Sequence, residues 1–251
     1  MCIFSARVNQ VTDTEIFVRV NAAGEQYTVY QNKFDTDTEN AMIIPIPEAT
    51  VGEMGVEFIN LEKYADFFKD IRESFPKSLS KGLRRSETFG LCLHDAIEVH
   101  QVGSFEASYV PSQDDFERLD ERFRLDSSAW EKLPEYQDYG FIVFKFKPGN
   151  QKPHPMAFKF KSAIPDYAYF PTVHVHDGKV HEREGFDHTL YLQHEGNKSP
   201  PDNWNSNTEK GAKAHLKKYR SLEILADFSN LIYKRRIVGT YANTDIVLQI
   251  K

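Results

Sequence analysis

Short strand-like runs recur along nearly the whole chain, and no regular alternation of strand with helix accompanies them. That pattern is the strongest constraint on the fold. A doubly wound parallel sheet needs a crossover segment of a dozen residues or more between successive strands, so it is not the fold expected here. Strands grouped between a few helices point instead to α+β. Cys2–Val8, Glu15–Val20 and Tyr27–Gln31 are separated by turn residues at Thr12–Asp13 and Ala22–Gly24. Ala41–Pro47 carries two prolines, which suit an edge or a strand end because proline lacks the N–H a ladder needs. Further strands are predicted at Thr88–Leu93, Ala96–Val102, Phe105–Val110, Phe141–Lys147, Pro153–Lys161, Phe170–Gln193 and Arg236–Ile250.

Helical spacing appears in three places. After Asn60, a good N-cap, apolar residues fall at Tyr64, Phe67, Phe68, Ile71 and Phe75, and Pro76 stops the run. Ser112 with Asp115 opens a second helix with Phe116, Leu119 and Phe123 on one face. Ala212–Leu222 is the third. The reading is therefore an α+β chain of largely antiparallel sheets with about three helices. Its 251 residues fit a single domain over 1–251, with a candidate sub-boundary near 76–87. Apolar residues at 40%, including 19 Phe and 12 Tyr, suffice for a sizeable core.

A net charge of −6 argues against nucleic-acid binding, which needs cations to replace counterions. No stretch approaches the roughly 18 apolar residues a membrane helix requires. The start of the chain does not read as a signal peptide, and the two cysteines, Cys2 and Cys92, are expected to stay unbridged. A cytoplasmic location is the expectation.

The most informative segment runs from Thr172 to Arg183. Asp177-Gly178 between two alternating arms signals a type I′ hairpin turn, which sets His174 opposite His181 and Val175 opposite Val180. Alternation then places His174, His176 and His181 on one face and Val173, Val175 and Val180 on the other, against the core. Three imidazoles that close together suit a divalent metal, zinc first and iron next. Asp187 and His188, a few residues on, are candidates for a further ligand, an orienting group or a general base. The leading functional reading is a metal-dependent hydrolase of a small molecule or peptide. His154, held extended by its flanking prolines, is a further candidate ligand.

Cys2 supports a second reading, a cysteine amidohydrolase. Removal of Met1 would expose an N-terminal nucleophile whose own amine serves as base. Ile16–Arg19 is similar to the stretch in which cysteine members of the bile-salt and penicillin V hydrolase group carry a catalytic arginine. Those enzymes follow the arginine with an aspartate, whereas this chain has Val20 and Asn21. A third reading is a non-catalytic binding or assembly module that contacts a protein partner through the polar loop Glu195–Gly211 and its Trp204.

The order of several short motifs also resembles an uncharacterised bacterial family known only as a domain of unknown function. The motifs are Cys2-Ile-Phe4, Val8-Asn-Gln10, Ile16-Phe17, Met42-Ile-Ile-Pro-Ile-Pro47, Val102-Gly-Ser-Phe105 with Leu119 beyond it, Tyr139-Gly-Phe141 and Pro155-Met-Ala-Phe-Lys-Phe160. The resemblance implies a β-rich α+β fold and no particular activity. Those relatives are typically exported and open with more cysteines, unlike this chain.

Overall fold

The computed structural model describes residues 3–49, 55–76, 100–102, 105–195 and 202–250. The first strands are β1 (Ile3–Phe4), β2 (Gln10–Val20), β3 (Glu25–Thr36), β4 (Asn40–Ile46) and β5 (Glu57–Ile59). Helix α1 (Phe67–Glu73) precedes β6 (His100–Val102) and β7 (Phe105–Val110). Helix α2 (Ser127–Trp130) is followed by β8 (Gly140–Phe146), β9 (Gly149–Gln151), β10 (Met156–Lys161) and β11 (Tyr167–Phe170). The chain ends with β12 (Arg183–His194), β13 (Asn205–Ser206), α3 (Glu209–His215), β14 (Ile232–Ala242) and β15 (Ile246–Gln249).

Among the described residues one sheet has the order β1-β4-β8-β7-β6. A larger one runs β13-β14-β12-β2-β3-β10-β5, with β9 also on β3, and β11 pairs with β15. Every pairing between these strands is antiparallel except β2 with β12. The largely antiparallel α+β expectation holds.

Side-chain parity explains how the sheets stack. Met42, Ile44, Ile142 and Phe144 of the first sheet share a buried cluster with Ile16, Val18, Phe158 and Leu190 of the second. The intervening residues point outward into two further clusters. Phe17, Val29 and Tyr191 meet α1, α3 and Tyr219 on the far side of the large sheet. Ala41, Ile43, Phe141 and Val143 meet Phe116, Leu119, Phe123 and Tyr136 on the far side of the small one. Central strands are thus buried on both faces, so β4 is buried at every residue and its sequence shows no polar alternation. Pro45 of β4 lies beyond the two residues paired with β1, where its missing N–H breaks no ladder with that strand.

Several elements differ from the sequence reading. The run after Asn60 is a 3-10 turn at Glu62–Tyr64 followed by α1, only seven residues long. Asn60 does accept the Glu62 N–H, at 2.9 Å. The run after Ser112 becomes two 3-10 turns, because Leu119 takes an extended conformation between them. Ala212–Leu222 divides into the end of α3 and a 3-10 turn at Lys217–Leu222. Phe67 of α1 lies on Phe17 at 5.6 Å and Phe116 of the first turn after Ser112 lies on Phe141 at 5.2 Å, and tertiary packing of this kind overrides helical propensity.

The expected contact loop Glu195–Gly211 is described only in part, since residues 196–201 lie outside the described residues, and its Trp204 does not face solvent. Trp204 is only 7% exposed and packs 6.0 Å from Phe170 in the inter-sheet cluster. Its neighbours are ordered too: Asn207 bonds Ser74 and Ile232, and Thr208 caps α3. The sub-boundary near 76–87, apart from Pro76 itself, and the strand Thr88–Leu93 lie outside the described residues. So do Cys2 and Cys92. No helix of the described residues is long and apolar enough to cross a membrane.

Candidate functional site

The segment between β11 and β12 is irregular, and side chains from a distant turn hold it. Asp245 Oδ1 accepts the backbone N–H groups of Thr172, at 2.7 Å, and Val173, at 3.0 Å. Its Oδ2 accepts the hydroxyls of Tyr136, at 2.6 Å, and Tyr169. Asn243 accepts from His174 N at 2.7 Å and donates to the carbonyls of His174 and His181. On the other flank Phe4 N donates to Val175 O, and Val8 N to His176 O, each at 2.9 Å. Val173 and Val175 fill the cluster on the outer side of the small sheet. Alternation therefore turns His174 and His176 the other way, toward β12.

Along β12 the residues Glu184, Phe186 and His188 share one face. His174 lies in the middle of a layered array on that face. Its ring centroid is 5.1 Å from His188, 4.4 Å from Phe186 and 5.2 Å from His176. Phe4 meets the outer ring of His176 edge-on at 6.3 Å. His174 and His188 are fully buried, and His176 and Glu184 are half-buried at the rim. Ligand atoms of His174, His176 and Glu184 all lie within 4.8 Å of one another, so this group could hold a metal ion. Burial lowers the pKa of all three imidazoles, and neighbouring imidazoles act in the same direction. His176 falls to about 4, and His174 and His188 fall further. All three are neutral near pH 7, the form that ligates.

The other sequence candidates are placed elsewhere. Gly178 alone takes a positive φ, 78°, and Asp177 Oδ1 accepts the Lys179 N–H at 3.0 Å. This is an Asx turn, not the expected type I′ turn, which needs positive φ at both residues. The arms do not pair as strands, and His181 is exposed with Nε2 3.2 Å from Asp177 Oδ2. Asp187 has the opposite parity to His188 on β12 and meets Arg236 at 3.2 Å. His154 packs on Phe105 with ring centroids 4.1 Å apart and planes tilted by 43°. Arg19 is buried, stacks 4.1 Å over Tyr27, donates to Glu223 O at 2.8 Å and lines an open cavity of about 360 Å³.

Glu184, Asn243 and Asp245 escaped the sequence reading. Glu184 had a usable signal, since it shares period-two parity with His188. Asn243 and Asp245 had none, because they act on backbone about seventy residues away in the chain.

No protein-family model matches this chain, and no curated protein matches it. Its fold is similar to that of baculovirus P35. The P35 crystal structure aligns over 99% of each chain with a TM-score of 0.51 and 14% identity. The crystal structure of the caspase-8/P35 complex aligns over 95% of this chain and 96% of that one, with a TM-score of 0.52 and 13% identity. The likeness establishes shared architecture over nearly the whole length.

Proposed function

We propose that this chain is a protein-binding module whose partner is a cysteine protease of the caspase class. The observation that carries the reading is the whole-length fold likeness to P35, on its own and in a complex with caspase-8. The likeness spans both main sheets, not a local motif, and lends no support to a hydrolase built on Cys2 or on the histidines. Layering also favours a binding role at the margins. Central strands of both sheets are covered on each face, which leaves strand edges and connecting loops for a partner to meet. A shared fold does not by itself fix a function, so the partner must be tested directly.

The test mixes the purified chain with active caspase-8 and follows both co-elution on size exclusion and hydrolysis of a peptide substrate. The expected result is a stable complex and a loss of peptidase activity. Repeating it with the protease's catalytic cysteine replaced separates binding from cleavage. No complex and full peptidase activity, with caspase-8 and with other caspase-class proteases, would overturn the reading.

A further inference from the structure

We propose that His174, His176 and Glu184 form a binding site for a divalent transition-metal ion of the zinc class, which ties the segment 174–176 to the start of β12. The site is independent of protease binding. Its donor set comes from two segments that the fold brings together. His174 and His176, two residues apart in extended chain, project to the same side, and Glu184 projects toward them from β12. Two imidazole nitrogens and a carboxylate oxygen suit zinc, cobalt, nickel or copper, whereas magnesium and calcium prefer an all-oxygen shell.

The geometry needs little change to close. A tetrahedral ion with bonds of about 2.0–2.1 Å sets its ligand atoms roughly 3.4 Å apart. These atoms already lie within 4.8 Å of one another. The half-buried Glu184 side chain supplies the adjustment by rotation. The two histidines are held more firmly: Asn243 and Asp245 fix the backbone at 172–174, and Val8 bonds the carbonyl of His176. His176 Nε2 is buried with no hydrogen-bond partner among the described residues. A buried polar atom left in that state is costly unless something else meets it, and an ion does so. The rim position of His176 and Glu184 gives the ion a route from solvent and leaves a fourth coordination position for water.

Binding closes the turn 177–183 between two anchored points. The segment it fixes also seats β1, through Phe4 N to Val175 O. His181 takes no part, because its ring faces Asp177.

The experiment uses untagged full-length protein, stripped with chelator and titrated with zinc against a chromogenic competitor. Parent, H176A, E184Q and H181A are compared, each first shown to be folded by circular dichroism. One zinc per chain is expected in the parent and in H181A. At least about a tenfold loss of affinity is expected in H176A and in E184Q. Cobalt should give tetrahedral visible bands in the parent that disappear in E184Q. Zinc should also slow tryptic cleavage after Lys179 in the parent and have no such effect in E184Q. Sub-stoichiometric zinc in the parent, equal affinity in all four proteins, or a loss in H181A as large as in H176A would overturn the site. If H176A fails to fold, the half-exposed E184Q decides the question alone.

Discussion

The arm Thr172–His176 and the arm Lys179–Glu182 flank one turn and both set valine between polar residues, yet the first is buried up to its half-buried end at His176 and the second is largely exposed. Their intrinsic preferences are alike, so the difference lies in what their backbones meet. The first arm has bonds to Asp245, Asn243, Phe4 and Val8, and its valines sit in a core cluster. The second has an Asx turn, an Asn243 bond to the His181 carbonyl and a bond from Asn243 N to Glu182 O. Side-chain alternation determines which residues share a face. Partners for the backbone polar groups determine whether the arm can leave water.

The strongest way to break this contrast is Asp245→Ala. It strips the acceptor from two backbone N–H groups and two tyrosine hydroxyls at the start of the buried arm. Leaving a buried donor unsatisfied costs about 1–3 kcal/mol. Water entry relieves part of that, so a total loss of about 3 kcal/mol or more is expected from urea unfolding. Asp245→Asn keeps one acceptor oxygen and should lose less. A loss below about 1 kcal/mol in Asp245→Ala would show that the Asp245 bonds are not what keeps the arm out of water.

Next in size is the response to acid, measured with chelator present so that only protons act. Burial depresses the pKa of His174, His176 and His188 in the fold, His176 to about 4. An unfolded histidine titrates near 6.5, so below that pH the unfolded state binds more protons. Their contribution to stability is complete above about pH 6.5 and is lost as pH falls. For His176 the loss continues to about pH 4, and for the two deeper rings it continues beyond. Each neutral-held ring adds about 1.4 kcal/mol per pH unit to the slope in that window. His188→Phe should remove about one proton's worth of slope between roughly pH 6 and 4.5. An unchanged slope would mean that His188 is not held neutral.

The two arms also show where the sequence was readable. Alternation correctly placed the valines and the two histidines on opposite sides of Thr172–His176, because that information is local, whereas the type I′ register read from Asp177-Gly178 did not form. The antiparallel α+β architecture was readable for the same reason, from strand-length runs and turn residues. The partition of ligands was not. Whether His181 or Glu184 meets His174 and His176 depends on a turn type set by one positive φ and on anchors at Asn243 and Asp245. Trp204 was misread for a related reason. Its polar neighbours looked like a solvated loop, but Asn207 and Thr208 use their side chains to bond backbone and cap α3.

The smallest effect is expected on the exposed arm. His181→Ala removes a ring whose partner, Asp177, is itself on the surface, with side chains 47% and 42% exposed. Exposed pairs of this kind contribute little after solvent screening and side-chain entropy are counted. The bond from Asn243 reaches the His181 carbonyl, not its ring, so alanine preserves it. Urea unfolding at pH 7 should therefore shift by no more than about 0.5 kcal/mol. This variant keeps the backbone of the exposed arm intact while His188→Phe alters the buried face, so the pair separates the two sides of the turn. A loss above about 1 kcal/mol in His181→Ala would show that the exposed arm is held by its side chains as well, and the contrast between the arms would collapse.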